Sequence, residues 1–469
     1  MATDAKNSVL DPDISDILAK HENEYRGYFL FETKLHTEEK DLDYTDGVLL
    51  NDIYIVRNYL ENIADYVEIK LSIPLGTFLY DVYPYLDNIE VTIITTKQLN
   101  KNKQPVEIKE RYKAVYLLDK NSKYPNTIPY SKNDLNNQLP AVITLQLLDR
   151  SVETLRIKTT QGNFDKSINK NKDMKPTTFL KTIISEEANK ILIENKPCLN
   201  SIDIEPADNT DELKSITIPS YTRIVELPTL IQEKNIGIYN GGIGIYIQRF
   251  GTDYHTVKKS LFIYSLYNNK KYDKSEYKTI FYSPNTSAFS ITDITYKYKD
   301  KILKVIPYNV TNIQDNKEAS VMSTGSGFRV SNANSFMKKP VKMTEKGPVF
   351  KRDSLSSEIV FKERRDGLNF AQNVGVSSNQ FHLTSTLLSK NGNYATLEIS
   401  NIDPDFILPG GKCKILYENN EKKVTELFGV IHSAIIVFSN QKLSLAVNHN
   451  TKKIPLSSHA TMQIFINSF

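Results

Sequence analysis

The chain has 469 residues, room for about three domains of ~150 residues each, and its 59 Lys and Arg nearly balance 55 Asp and Glu. A net charge of +4 with no long basic block speaks against a dedicated nucleic-acid binder, which would carry a basic face. Two cysteines, Cys198 and Cys413, make neither a CxxC pair nor a disulfide framework, and no stretch approaches the ~20 apolar residues of a membrane-spanning helix.

In chain order, residues 1–22 read as an arm or short helix; with no basic start and no continuous apolar run, they are not expected to be a secretory leader. Strands then dominate. In "VEIKLSI" Val67, Ile69, Leu71 and Ile73 share one face and Glu68, Lys70 and Ser72 the other, the period of a half-buried strand. "IEVTIIT" repeats it with Ile89, Val91 and Ile93, and "VEIKERYKAVYLLD", "PAVITLQLLDR" and "VETLRIKTT" extend a run of antiparallel strands through 23–165.

The period then changes. In "KPTTFLKTIISEEANKILIE" Phe179, Leu180, Ile183, Ile184, Ala188, Ile191 and Leu192 make one helical stripe, and Pro176 suits its first turn. A shorter helix is predicted over "LPTLIQEKN". The glycine-rich "GIYNGGIGIY" (237–246) reads as a tight hairpin turn at Asn240-Gly241 rather than a phosphate cradle, because β-branched and aromatic residues follow the glycines and no Gly-Lys-Ser/Thr or GxGxxG is present. With "SLFIYSLY" as a further strand, 166–290 reads as a mixed α/β insert. Residues 291–350 read as a strand plus an extended linker or arm, since Ser, Asn, Gly and Lys dominate from about 310.

Residues 351–469 return to strands. "YATLEIS", "CKILYEN", "VTELFGVIHSAIIVFS", "KLSLAVN" and "ATMQIFINS" repeat the order seen near the start: strand, proline-containing connection, strand, polar turn, long strand. The fold class is therefore α+β, mainly antiparallel β, with a β-barrel expected near each end because barrels remove the open edges of such meanders.

No catalytic constellation emerges. His21, His36, His255, His382, His432, His449 and His459 form no metal-binding spacing, and Cys413 reads as a small apolar residue. There is no GxSxG elbow, and "STGSG" from Ser323 is featureless. Glu186-Glu187 and the Asp403/Asp405 pair read as solvated charges, the latter in a surface connection. "FKERRDG" (361–367) reads as a turn. "YNNKKYDKSEYK" (267–278) could contact a phosphate backbone or a glycan, and reads more simply as a solvated strand or loop. The expected catalytic, cofactor and metal sites are none.

The segment "ILPGGKCKILYENNEKKVTELFGVIHSAIIVFSNQKLSLAVN", with Pro409-Gly410-Gly411 at a connection and Gly429 and His432-Ser433 at a strand bend, resembles the C-terminal barrel of the baseplate central hub of contractile-tailed phages, a tail-tube-like barrel family shared with contractile injection systems. "TRIVELPTLIQEKNIGIYNGGIGIYIQ" is similar to that family's middle segment. The resemblance implies a non-enzymatic virion protein made in the host cytoplasm and built from two tube-like barrels. It implies a homotrimer whose six barrels form a pseudo-six-fold ring between a six-fold tail tube protein and a three-fold central spike protein. Neighbouring baseplate proteins, transient DNA passage and no stable membrane insertion follow from the same resemblance. A tube adaptor or a receptor- or glycan-binding tail protein is the alternative reading.

Overall fold

The computed structural model describes residues 28–98, 106–117, 140–165, 175–250 (apart from 194, 210, 211, 213, 214, 235 and 236), 258–267, 279–283, 295–298, 301–305, 312–314, 329–331, 358–360, 393–400, 404–418, 424–439 and 452–466. Its strands are, in order, β1 (Tyr28–His36), β2 (Asp41–Leu42), β3 (Leu49–Asn58), β4 (Tyr66–Pro74), β5 (Glu90–Gln98), β6 (Val106–Leu117), β7 (Pro140–Leu148), β8 (Thr159–Asp165), β9 (Leu192–Ile193), β10 (Lys196–Pro197), β11 (Ser201–Ile204) and β12 (Ser215–Arg223). They continue with β13 (Ile243–Phe250), β14 (Lys258–Ser265), β15 (Thr279–Ser283), β16 (Thr295–Tyr298), β17 (Lys301–Val305), β18 (Asn312–Gln314), β19 (Arg329–Ser331), β20 (Glu358–Val360), β21 (Asn393–Ser400), β22 (Lys412–Glu418), β23 (Val424–Ser439) and β24 (Ile454–Ile466). Among the described residues three helices of eight residues or more accompany them: α1 (Arg150–Ile157), α2 (Pro176–Asn189) and α3 (Leu227–Lys234). The chain is thus mainly antiparallel β with few helices, as expected.

Most strands join one 15-stranded sheet. Within it, β23, β3, β4, β7, β6, β5, β1 and β24 pair each to the next, and β24 pairs back to β23, so eight strands close a hydrogen-bonded circuit. Every pairing around it is antiparallel. Alternation drives it: Ile69, Leu71 and Ile73 of β4 and Ile143, Leu145 and Leu147 of β7 point inward and are buried with Phe29, Phe31, Ile53, Ile93, Ile436 and Phe438 in one core. Burying those side chains is worth about 1.5–3 kcal/mol each before the entropy of ordering them is set against it.

The hairpin of β23 and β24 serves two neighbours along its length. One edge of β23 pairs with β22 through Val424–Val430 and with β3 through Ser433–Ser439. The outer edge of β24 pairs with β1 through Ile454–Leu456 and with β21 through His459–Ile466. At the changeover the β23–β24 register shifts between Ile431 and Ser433, leaving His432 as the extra residue of a bulge. A second, open run of eight strands, β16-β17-β15-β22-β23-β24-β21-β18, therefore shares this hairpin with the circuit. The β segments near the two ends of the chain are joined in one sheet, not in two separate ones.

A second core lies in the α/β region. There α2 buries Phe179, Leu180, Ile183, Ile184 and Ala188 in the predicted stripe. Leu192, assigned to that stripe, lies past the helix end in β9 and is 60% exposed. Parallel β11 joins the β13–β14 hairpin, and β12 pairs with β8. Strand β15, inside the expected insert, pairs in parallel with β22 and so belongs to the main sheet.

Two sequence expectations are corrected here. "VETLRIKTT" is not a strand at its start: Asp149 caps α1 by accepting from the Ser151 and Val152 amides at 2.8 and 3.3 Å, and Val152 and Leu155 are buried at helical spacing. "GIYNGG" is not the turn of a hairpin either. Ile238 and Tyr239 form no strand; the turn leads from α3 into β13, and β13 pairs with β14. Buried Gln232 of α3 holds it, accepting from the Ile238 and Tyr239 amides at 2.8 and 3.0 Å and donating to the Tyr239 carbonyl at 2.9 Å. The glycines follow a helix and precede a strand, so no helix N-terminus faces an anion there.

Candidate functional site: a clasp of paired charges at the end of the circuit

Three circuit strands carry a charged residue on their apolar parity. Arg57 follows Ile53 and Ile55 on β3, Lys97 follows Ile93 and Thr95 on β5, and Glu110 precedes Tyr112 and Ala114 on β6. All three therefore point into the circuit, where they line a cavity of about 80 Å³ together with Asp65, Arg249, Phe29, Phe31 and Phe438. Isolated charges there would cost several kcal/mol apiece, so each must be paired.

The pairing partners come from the β3–β4 connection, the β21–β22 connection and β13. A short helical turn at Pro404–Phe406 lays Asp405 between Lys97 and Arg249, with Arg249 Nη2 at 3.2 Å and Lys97 Nζ also in contact. Arg249 also pairs with Glu110. Arg57 donates from Nε and Nη2 to the Asp65 carboxylate at 3.1 Å and from Nη1 to the Ile407 carbonyl at 2.9 Å and to that of Pro404. The Ile407 carbonyl further accepts from Tyr59 Oη and Gln248 Nε2, both at 3.0 Å, and Tyr246 Oη donates to Asp65 at 2.9 Å. The turn is thus held by the circuit (β3, β5) and the α/β region (β13) at once.

Electrostatics follow from this geometry. Burial raises the Asp405 carboxyl's affinity for a proton, but Arg249 and Lys97 outweigh it and hold the group well below the usual carboxylate range. Burial works against the charge on Arg57 as well, and Asp65 more than restores it. Burial pushes the Tyr59 hydroxyl well up, so it stays a donor. These charges are committed to one another, so the arrangement suits cross-linking of chain segments rather than proton transfer to a substrate.

A second buried polar feature sits at the bulge. His432 is fully buried, its ring stacked on Phe465 at 5.2 Å and 10°, with Tyr267 and Tyr394 edge-on. Its Nε2 donates to the Leu266 carbonyl at 2.8 Å and its Nδ1 is buried without a hydrogen bond. Burial lowers its pKa to about 4, so the ring is neutral.

The residues considered from sequence are dispersed. His36 pairs with Asp41 at 2.6 Å and Thr92 at 2.8 Å, and His459 lies in β24. His21, His255, His382 and His449 lie outside the described residues, as do Asp403, Ser323 and the turn at 361–367. No metal-binding group of three His, Cys, Asp or Glu occurs among the described residues. Cys198 and Cys413 are buried, and burial raises both thiols. Glu187 is engaged by Lys190 at 2.5 Å and Lys158 at 3.5 Å. Asp405 is the correction: it is no solvated charge but the buried centre of the clasp, 9% exposed. Tyr267, from the lysine- and tyrosine-rich stretch, packs against His432 and Phe465, and 268–278 lie outside the described residues. Sequence reasoning missed Arg57, Lys97, Glu110 and Arg249; the available signal was a charge at the end of an apolar-parity run in β3 and β5 and inside one in β6.

No family model and no curated protein matches this chain. Among solved structures, a 43 kDa tail protein of prophage MuSo2 from Shewanella oneidensis aligns at 11% identity over 92% of this chain and 98% of its own, with a TM-score of 0.43. A chain of the lidded Francisella PdpA–VgrG complex aligns at 12% identity over 98% of this chain and 57% of its own, with a TM-score of 0.41. The lidless PdpA–VgrG complex gives 11%, 95%, 65% and 0.38. The chain thus spans about three fifths of the PdpA–VgrG chains it aligns with, and likeness at this level does not establish a common fold.

Proposed function

We propose that this protein is a structural, non-enzymatic component of a contractile phage tail, a trimeric central hub of the baseplate. In this reading it joins a six-fold tail tube to a three-fold spike around a channel that DNA passes, with neighbouring baseplate proteins around it. The observation that carries the reading is the sharing of the β23–β24 hairpin between a closed eight-strand circuit and an open run of eight strands. A subunit that carries a closed circuit and a second run of strands on one shared hairpin has two sheet regions with which three subunits could meet a six-fold tube. The sequence resemblance of "ILPGGK" through the β23 bend supports it, because the structure gives those residues specific work. Gly410 has φ +62° and lies where a Cβ would come 2.5 Å from the Tyr264 ring, and Gly429 and His432 flank the partner change in β23. Closed symmetry with large, apolar contacts is the physical logic of such an assembly. No described helix is long and apolar enough to cross a membrane.

A tube adaptor or a receptor- or glycan-binding tail protein is the second reading. Light scattering across a concentration series, with negative-stain images of the same sample, separates them. A trimer near three times 53.6 kDa, seen as a ring with a hole, is expected. A monomer that binds glycan would overturn the hub in favour of the second reading.

A further inference from the structure

The two-stranded ribbon of β8 and β12 has one dry face and one wet face. Ile216 and Ile218 of β12 are buried in the second core, and Phe164 of β8 packs against it. The opposite face carries Thr159, Gln161 and Asn163 of β8 and Ser215 and Thr217 of β12, all exposed, with Thr217 directly opposite Asn163. This row holds only amides and hydroxyls. Arg223, opposite Thr159 at one end of the row, is already paired with Glu226 at 2.7 Å.

A bulge interrupts the row. The pairing passes from Ile218–Gly162 to Thr222–Thr160, so Pro219, Ser220 and Tyr221 stand where β8 has Gln161 alone. Tyr221 takes φ +65°, a left-handed backbone that bulky side chains rarely adopt, and it is 86% exposed. A ring left in water gains no burial to set against that strain. What the conformation does achieve is to stand an aromatic ring clear of the surface opposite Gln161. Strained backbone of this kind collects at ligand-binding positions.

The chemistry of the row selects the ligand. A phosphate-bearing partner needs unpaired Lys or Arg, and the row has none. A protein contact is apolar at its centre, and these five side chains are polar. A neutral sugar fits both parts: its C–H face stacks on an aromatic ring, and its hydroxyls exchange hydrogen bonds with side-chain amides and hydroxyls. We propose that the β8–β12 ribbon is a binding site for a neutral oligosaccharide, with Tyr221 as the stacking platform and Gln161, Asn163 and Thr217 as the hydrogen-bonding groups. The site depends on neither oligomeric state. A trimer that binds sugar here is a hub with a carbohydrate contact, and a failure to bind leaves the hub reading untouched.

The test titrates the full chain with two neutral sugars, chitohexaose and maltohexaose, and with dextran sulfate as a polyanion. Calorimetry gives the affinity, and saturation-transfer NMR shows which sugar protons meet the protein. The variants are Tyr221→Ala, Tyr221→Phe, Gln161→Ala and, as an exposed tyrosine elsewhere, Tyr80→Ala, which removes a residue 68% exposed. Circular dichroism checks each fold. The expected result is binding of at least one neutral sugar, weakened at least about tenfold by Tyr221→Ala. Gln161→Ala weakens it too, while Tyr221→Phe, which keeps the ring, and Tyr80→Ala bind as the wild type does. No binding of either neutral sugar, or equal binding by Tyr221→Ala, would overturn the proposal. Binding of dextran sulfate alone would overturn it in favour of a polyanion. Self-association lost in Tyr221→Ala, with no sugar bound, would overturn it in favour of a protein contact.

Discussion

The Tyr59 amide donates to the His432 carbonyl at 2.9 Å, which ties the end of β3 to the residue skipped where the β23–β24 register shifts. That bond fixes the bulge at the point where β23 exchanges β22 for β3. The His432 ring is then carried into the aromatic group of Phe465, Tyr267 and Tyr394.

His432 makes stability depend on pH. Burial lowers its pKa from the ordinary 6.5 to about 4. Between those values the unfolded chain binds the extra proton, so the contribution is complete above about pH 6.5 and is lost as pH falls through about 4. The loss is on the order of 3 kcal/mol. His432→Gln, which keeps a donor for the Leu266 carbonyl, is expected to flatten this part of the profile. Urea midpoints at pH 7 and 4.5 for both proteins check it; parallel losses would show that other groups titrate there.

Asp405→Asn should be among the most damaging polar substitutions. It leaves Lys97 and Arg249 buried with half of their compensation gone, at a cost of roughly 3–5 kcal/mol. Denaturant unfolding at pH 7 measures it. A change below about 1 kcal/mol would mean that the pair is hydrated like a surface ion pair.

Gly410→Ala and Gly76→Ala are expected to act in opposite directions. At Gly410 the left-handed backbone and the Tyr264 ring both oppose a Cβ, costing about 2–4 kcal/mol. At Gly76 nothing lies within 4 Å, and the change should be neutral or stabilising by under about 1 kcal/mol. Thermal melting of the two variants side by side is the check, and equal shifts would refute the contrast.

Ile415→Asp is expected to prevent soluble folding. Ile415 of β22 is 1% exposed and faces the main core, where an unpaired carboxylate costs well over about 4 kcal/mol. Soluble protein with a wild-type melting profile would place this residue on the other face of its strand.

Elements with an unbroken period were legible in the sequence. Strand β23 matches "VTELFGVIHSAIIVFS" residue for residue, and the stripe of α2 is buried as read from Phe179 to Ala188. Strands β1 and β3 were not marked. In β1 both faces are buried, with Phe29 and Phe31 on one and Glu32 on the other, so alternation disappears. In β3 a register shift between Leu50 and Asp52 breaks the phase. The clasp was illegible for a different reason. Arg57 and the Ile407 carbonyl are 350 residues apart, and no local pattern announces such a partner. Asp405 next to a proline looks the same in sequence whether solvent or two cations surround it.

The β23–β24 hairpin supplies two of the eight circuit strands from near the far end of the chain. A growing polypeptide therefore holds β1 and β3 as bare edges until that hairpin has been synthesised. Loop closure over so many residues makes this a late, slow step. A product that stops short of β23 cannot close, and its exposed strand edges would mark it for chaperones or degradation. Closure of the circuit therefore requires both halves of the sheet in one chain.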